Sequence, residues 1–408
     1  MLPPELVDTI VEKIGGMSDL KSCSLAASVF RYACQKRLLA TLSLGGPDMY
    51  ARAKGYDEAA ARFEATPSLA LLVVNLNIWL STKPIAAPVV NALFSALVRV
   101  SSCTISGQGN TYGRPFKWKA ITNGLSLAVS HWLSAVPDGT MRYFHVSNLA
   151  NVPQRFLHDI FRVLGPRCFL SFTMMSVDQA RSVVSPPHTP PPFHFLFSGH
   201  TNVHQLLTTP DSGFVQYSQS IRKLTALVNF DTELDAALLI CAAATHSLEH
   251  LQLTLSAQRL RQRDTINEDA IPRLFSLRLL EVVCTGFDNQ LEHDHSFSWF
   301  LSQVLAPMLR PGATPCLAQI QLTLAVDTLE QAVNVYVPSI RGLRKAHLLL
   351  HHLDKLLAGH NILLRFMFRT GHLQAGAAEH LEAIFNALKE KLPSQARKNL
   401  LKVVAEPS

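Results

Sequence analysis

The stretch Ser247–Leu255, SLEHLQLTL, carries the pattern that decides the fold of this chain. Leu248, Leu251 and Leu253 stand at positions i, i+3 and i+5, a spacing that predicts a short strand with one apolar face. Clear copies of this spacing recur at Val73-Leu76-Ile78, Val100-Cys103-Ile105, Met141-Phe144-Val146, Phe169-Phe172-Met174, Leu277-Leu280-Val282 and Leu317-Ile320-Leu322, with weaker copies at Phe193-Leu196 and Ile221-Leu224.

The distances between these copies predict a repeat. Many successive copies lie about 27 residues apart, and helical patterns fill the segments between them at 89–98, 153–164 and 235–244. A single strand and helix cannot bury its own apolar face, so such units stack on their neighbours. The pattern resembles the leucine-rich repeat but has no firm Asn or Cys at the usual turn position. It predicts an irregular leucine-rich-repeat-like α/β solenoid over residues 45–408.

The first 44 residues predict a separate module of three short helices. Apolar residues recur every four positions on one face of the first helix, and Pro3 and Pro4 suit a helix start. Gly15-Gly16 ends this helix, Leu20 and Leu25 of the second are expected to face inward, and Ser28 opens the third. The repeating residues of the first helix are Leu2, Leu6, Ile10 and Ile14.

This module resembles the F-box, and the fit is closest to the large F-box set of mushroom-forming fungi. The family outline is Leu-Pro-x-Glu, helical apolar spacing, Asp-Leu, and a stretch ending in an aromatic residue. The chain departs from it at Ile14, where Leu is usual, at Ala26-Ala27, where Val is common, and at Ser28, where many members carry Arg. The matching residues are Leu2, Pro3, Glu5, Leu6, Ile10, Ile14, Asp19, Leu20, Leu25 and Phe30.

The resemblance implies a function. F-box helices dock on the adaptor Skp1, so the chain is expected to be the substrate receptor of a cullin-type ubiquitin ligase that recruits a protein client. The residues expected to divide between the core of the module and the adaptor-binding surface are Leu2, Pro3, Leu6, Ile10, Leu20, Leu25 and Phe30.

The C-terminal stretch resembles the same fungal set. The expected order is a strand within 343–352, a short helix bearing Leu353-Asp354, a strand, a helix ending at Lys391-Leu392-Pro393, and a closing strand.

Composition predicts a soluble cytosolic or nuclear protein. Apolar residues make up 48% of the 408 residues and charged residues 16%, which is too apolar for disorder. No apolar run is long enough to span a bilayer, and no secretory signal is visible. The cysteines, seven in number, are widely scattered without a CxxC pair, as expected of free thiols in a reducing compartment.

Two further segments differ from the rest in composition. The net charge of +7 is concentrated after Arg341, but Lys398 and its basic neighbours lie on an amphipathic tail with few aromatics, so a solvated helix is favoured over nucleic-acid binding. The proline-rich segment 185–192, SPPHTPPP, predicts an exposed insertion loop, with a PxxP ligand or phosphosites as the alternative.

No catalytic or metal-binding arrangement is recognisable. The chain has neither a phosphate-binding loop nor a GxSxG elbow. Glu292-His293-Asp294-His295 is interpreted as a polar loop, and His347, His351 and His352 as part of a strand. We therefore expect no enzymatic activity, no cofactor and no metal. A decayed F-box outside any ligase remains the main alternative function, and nucleic-acid binding the lesser one.

Overall fold

The computed structural model divides into two compact units, Met1–Pro191 and Pro192–Ser408. Each unit is a run of parallel strands alternating with helices, and the first begins with three short helices. This confirms the predicted fold class, a three-helix module followed by an irregular leucine-rich-repeat-like α/β repeat. The structure describes residues 3–45, 55–80, 85–107, 114–121, 123–178, 190–199, 201–229, 231–256, 271–285, 300–326, 328–330, 332–333, 337, 344–371 and 376–407.

The three N-terminal helices are α1 (Pro4–Glu12), α2 (Met17–Ala26) and α3 (Ser28–Leu39). Proline at the first position of α1 costs no hydrogen bond, because the first N–H groups of a helix have no intrahelical acceptor. Gly16 and Ala27 are extended and separate the helices. The helical module therefore ends at Leu39, five residues before the predicted boundary, since residues 41–44 form a strand.

The helices of the module enclose a small apolar core. Its fully buried members are Val7 and Val11 of α1, Leu20 of α2, and Ala33 and Cys34 of α3. Partly buried apolar side chains complete the core around them: Ile14, Cys23, Phe30 and Leu38.

In the first unit the parallel strands pair in the order β1–β2–β3–β5–β6, and the short β4 pairs with β5. These strands are β1 (Thr41–Leu44), β2 (Asn75–Leu80), β3 (Ser102–Gly107), β4 (Phe116–Lys117), β5 (Met141–Val152) and β6 (Leu164–Val177). The helices between them are α4 (Tyr56–Ala65), α5 (Ala87–Ala96), α6 (Asn123–Ala135) and α7 (Gln154–Val163), with 3-10 turns at Pro67–Leu72 and Trp118–Ala120.

The predicted strand signature identifies the buried strand residues of this unit, with one error of register in β6. Leu76, Cys103 and Phe144 are neighbours in register and fully buried, as their positions in the signature predict. In β6, Phe172 is buried as predicted, but it pairs with Val146, and Leu170 pairs with Phe144. The predicted register of β6 is therefore two residues off, which keeps Phe172 on the core face because side chains alternate with a period of two, while Phe169 faces the other side.

The second unit repeats the same construction. Its strands pair in parallel and in chain order: β7 (Phe193–Ser198), β8 (Ile221–Val228), β9 (His250–Ser256), β10 (Leu279–Thr285), β11 (Gln319–Val326), β12 (Leu363–Thr370) and β13 (Leu401–Pro407). Its helices are α8 (Val203–Thr208), α9 (Val215–Ser218), α10 (Asp231–Ala243), a π-helical turn at Leu301–Leu305 that continues into α11 (Ala306–Met308), α12 (Arg344–Leu357), α13 (Ala377–Lys391) and α14 (Pro393–Arg397), with a 3-10 turn at Pro210–Ser212.

The strand predicted within 343–352 is wrong, because residues 344–357 form helix α12. Leu350, Leu353 and Leu357 are buried at spacings of three and four, which is the period of a helix. The remaining order predicted for the C-terminal stretch, strand, helix and closing strand, is found in β12, α13 and β13.

Candidate functional site

The N-terminal module exposes large apolar side chains on each of its helices. Leu6 and Ile10, one turn apart on α1, are 52% and 44% exposed. Leu25 at the end of α2 is 82% exposed and Tyr32 on α3 is 65% exposed. Met17 and Val29 complete the set, which is called the apolar surface of the module below. The core of the module is formed without these residues, so they are available to a partner.

The predicted adaptor-binding residues separate into two groups. Leu6, Ile10 and Leu25 are exposed, and Pro3, the residue that precedes α1, is exposed as well. Leu20 is buried in the core, and Phe30 is half-buried against it. Leu2 lies outside the described residues.

The expectation that Leu25 faces inward with Leu20 is wrong. Five residues at 100° each place the two side chains about 140° apart around α2, so only one can enter the core. Leu20 is 2% exposed and Leu25 is 82% exposed.

A residue that the sequence did not single out connects α1 to α3. The Arg37 guanidinium donates a hydrogen bond of 2.9 Å to the carbonyl oxygen of Ile14, and Nη1 also donates to the carbonyl of Val11. The Ile14 carbonyl lies just beyond the end of α1, where acceptors lack intrahelical donors, whereas the Val11 carbonyl also accepts from the backbone N–H of Ile14 at 3.2 Å. Arg37 thus sets the position of α1 relative to α3. In the sequence, the feature that could have indicated this role is a basic residue in the last turn of α3.

A second candidate surface is the face of the first unit's strands that points away from the core. Three rows of side chains cross it in register, and no Asp, Glu, Lys or Arg occurs at these described positions. We call it the neutral face. Its rows are Thr41-Asn75-Ser102-Tyr143-Phe169, then Ser43-Asn77-Thr104-His145-Ser171, then Trp79-Ser106-Ser147-Thr173.

The neutral face is ordered by hydrogen bonds and one ring contact. The Asn77 amide donates to the Ser43 hydroxyl at 3.3 Å, and Ser106 and Ser147 share a hydrogen bond of 2.7 Å. The rings of Tyr143 and Phe169 stack with their centroids 5.4 Å apart. Most of its side chains are half-buried.

The corresponding strand face of the second unit is charged. The Glu281 carboxylate accepts hydrogen bonds from Gln321 at 3.1 Å and Thr323 at 3.2 Å, and lies 3.4 Å from both His250 Nε2 and Arg369 Nη2. Burial raises the pKa of the Glu281 carboxyl, but His250 and Arg369 outweigh this effect and hold it below its usual value. The protein's own groups therefore satisfy this carboxylate.

Beside this cluster, His194 is held in its neutral form. Burial, together with the nearby Lys223 and His250, lowers the pKa of His194 to about 3. Its Nε2 lies 3.0 Å from the Thr225 hydroxyl. Burial also lowers the pKa of Lys223.

The basic C-terminal segment is partly used within the fold. Lys398 Nζ donates to the carbonyls of Ala358 at 2.6 Å and His360 at 3.1 Å, just after α12. The buried Asp354 accepts hydrogen bonds from the backbone N–H groups of Ser394 and Gln395 in the first turn of α14. Lys398 is exposed, in agreement with the expected solvated face, and the structure adds that it caps helix-end carbonyls.

Other features of the described residues carry no recognisable chemistry. No group of three or more His, Cys, Asp or Glu side chains in this part of the chain is placed to hold a metal ion. Glu292-His293-Asp294-His295 and most of the proline-rich segment lie outside the described residues, while His351 and His352 are exposed on α12. Within the described part, no helix has the length and apolar character needed to cross a membrane.

A groove of about 630 Å³ lies between α5 and α6 in the first unit. Its walls include Phe94, Val98, Trp132 and Pro137. The Trp132 indole N–H is used within the fold, because it donates to the carbonyl of Leu97 at 3.2 Å.

Comparison with known proteins adds no assignment. No family model matches the chain, and no curated protein matches it.

Proposed function

We propose that this chain is the substrate-recognition subunit of an SCF-type (Skp1–cullin–F-box) ubiquitin ligase. The observation that carries the proposal is the exposure of Leu6, Ile10 and Leu25 on a three-helix module whose core closes without them. These three belong to the residues that match the F-box outline. Burying a Leu or Ile side chain against a partner stabilises a complex by roughly 1.5–3 kcal/mol.

In this proposal the residues of the module have two roles. Leu20 and Phe30 hold the helices together, and Leu6, Ile10, Leu25 and the chain entry at Pro3 contact a Skp1-type adaptor. The ligase supplies the chemistry elsewhere, and the repeats hold a protein client. Tethering raises the effective concentration of client lysines near the charged conjugating enzyme.

The test is co-purification of the full chain with Skp1. We expect Leu6→Asp together with Leu25→Asp to abolish the pull-down, because the new carboxylates would be buried without a partner at the interface. Ser22→Asp is the control, since it places one such carboxylate at an exposed polar position of α2. Far-UV and near-UV circular dichroism establish that the variants are folded. If the folded double variant binds Skp1 as the parent does, the proposal is wrong.

A deletion gives an independent test, and the structure determines where it ends. Removing residues 1–39 takes away the module but keeps β1, which pairs with β2 at the edge of the strand array. We expect this deletion to abolish the pull-down and to leave the repeats folded. Retained binding would place the adaptor site in the repeats.

The alternative is an interaction protein whose F-box no longer enters a ligase. Ala26 favours it, because this residue is exposed where the family commonly has Val, so the substitution removes apolar area from the surface and not from the core. Absence of Skp1 binding by the parent chain, with the module folded, would support this alternative.

A further inference from the structure

The neutral face differs from an ordinary solvated surface in its chemistry. Charged residues make up 16% of the chain, yet none occupies the registered outward positions of β1, β2, β3, β5 and β6. The nearest cations on these strands, Arg142 and Arg167, stand where the pairing of β5 with β6 shifts register, outside the rows.

Hydroxyl and amide groups on this face are oriented by the fold and can form hydrogen bonds with a partner. Side chains such as Asn77, Thr104 and Ser147 can donate or accept hydrogen bonds and are cheaper to desolvate than charged groups. Pairs such as Ser106 and Ser147 already fix one another, so a ligand would meet oriented groups. His145 lies in the middle row, and its Nδ1 is buried without a hydrogen-bond partner among the described residues.

Aromatic side chains add anchors to this polar surface. Tyr143 is 36% exposed and stacks on Phe169, and Trp79 stands at the far end of β2. Rigid aromatic side chains are the residues that most often dominate the binding energy of an interface.

The same chemistry excludes a charged occupant. A phosphate, carboxylate or ammonium group buried here would meet no counter-ion at the registered positions, and an unpaired buried charge is strongly disfavoured. Burial lowers the pKa of His145, so its imidazole is neutral at physiological pH and adds no cation. A nucleic-acid backbone is therefore a poor match to this face.

We propose that the neutral face is the client-recognition surface, and that its occupant is an uncharged segment of a protein client, rich in Ser, Thr, Asn, Gln and aromatic residues. This inference rests on the proposed function for the existence of a client. It adds which strands hold the client and what kind of segment they accept.

The experiment selects ligands from a library of random dodecapeptides displayed on phage, with the immobilised full-length chain as bait and the Thr104→Glu variant for counter-selection. We expect the peptides that bind only the parent to contain fewer Asp, Glu, Lys and Arg residues than the unselected library. Their affinities, measured by fluorescence anisotropy, should change little between about 0.05 and 0.5 M salt, because no ion pairs form.

Two further variants keep the test decisive. Asn77→Asp changes charge without changing shape, and it should weaken the selected peptides at least about tenfold even if Thr104→Glu perturbs folding. Ala92→Asp, on the exposed side of α5, should leave their affinity unchanged. Charge-rich peptides among the face-dependent binders, or an absence of binders sensitive to Asn77→Asp, would overturn the inference.

The outcome is separable from that of the proposed function. The selection contains no adaptor, so it reports on the neutral face alone. Asn77→Asp and Thr104→Glu should retain the Skp1 pull-down of the parent. A parent that fails to bind Skp1 contradicts the ligase proposal and leaves the peptide result standing.

Discussion

Arg37 of α3 donates a hydrogen bond of 2.9 Å to the carbonyl oxygen of Ile14, just beyond the end of α1. This contact joins α1 to α3, because the Arg37 guanidinium supplies a donor to a helix-end carbonyl. The apolar side chains of α1 that face outward are thereby held at a defined angle to those of α2 and α3.

We expect Arg37→Met to destabilise α1 by about 1–3 kcal/mol, since it leaves the part-buried Ile14 carbonyl without its donor. Native-state hydrogen exchange of the α1 amides measures the effect. Lys36→Met is the matched control. The neighbouring Lys36 is exposed and its Nζ lies 4.0 Å from the carboxylate of Asp8, a long surface ion pair that contributes less than about 1 kcal/mol. Equal exchange rates in the two variants would show that the Arg37 contact does not hold the helix.

Leu20 and Leu25 should separate stability from adaptor binding. Leu20→Ala removes a buried side chain and should cost about 2–5 kcal/mol of unfolding free energy, while Leu25→Ala should change it by less than about 0.5 kcal/mol. Skp1 affinity of the folded protein should show the reverse order. Chemical denaturation and a titration with purified Skp1 measure the two quantities. A large loss of stability in Leu25→Ala would contradict the exposed position of this residue.

Lys398→Met should lower stability slightly, by about 0.5–1 kcal/mol, because it removes the donor to two carbonyls after α12. Lys402→Met, an exposed lysine on β13, is the control and should be neutral. Thermal unfolding compares the two variants. If both melt as the parent does, the contacts of Lys398 are energetically negligible and the tail is simply solvated.

Acid should destabilise the second unit, in part through His194. The pKa of His194 is about 3 in the folded protein and near 6.5 in the unfolded chain, so between these values the unfolded state binds the additional proton. Protonation of His194 therefore does not lower the free energy of unfolding above pH 6.5, and lowers it progressively as the pH falls below that value. The lowered pKa of Glu281 acts in the same direction at lower pH.

We therefore expect the melting temperature of the parent to fall more between pH 7 and about 5 than that of His194→Gln, which cannot be protonated. The buried His158 and the half-buried His145 and His204 also have lowered pKa values, so the variant should flatten the profile only in part. Parallel profiles for parent and variant would mean that His194 is not held neutral by the fold.

Much of the architecture was predictable because strand and helix periods are local properties of the sequence. The segments 89–98, 153–164 and 235–244 are helical as predicted, overlapping α5, α7 and α10. Where two periods fitted the same residues, prediction failed. The Leu-rich sequence of α12 fits a strand as well as a helix, and burial of Leu350, Leu353 and Leu357 against the core selects the helical period.

The sequence by itself determined the three helices and the repeating strands, since proline, glycine and the apolar spacing act over a few residues. Only the tertiary structure decided which apolar stripe of α1 is buried. Leu6 and Ile10 form one stripe and Val7 and Val11 another, and both recur every four residues. Contact with Leu20, Ala33 and Cys34 turns the valines inward and leaves Leu6 and Ile10 for a partner, because burial depends on neighbours that are distant in sequence.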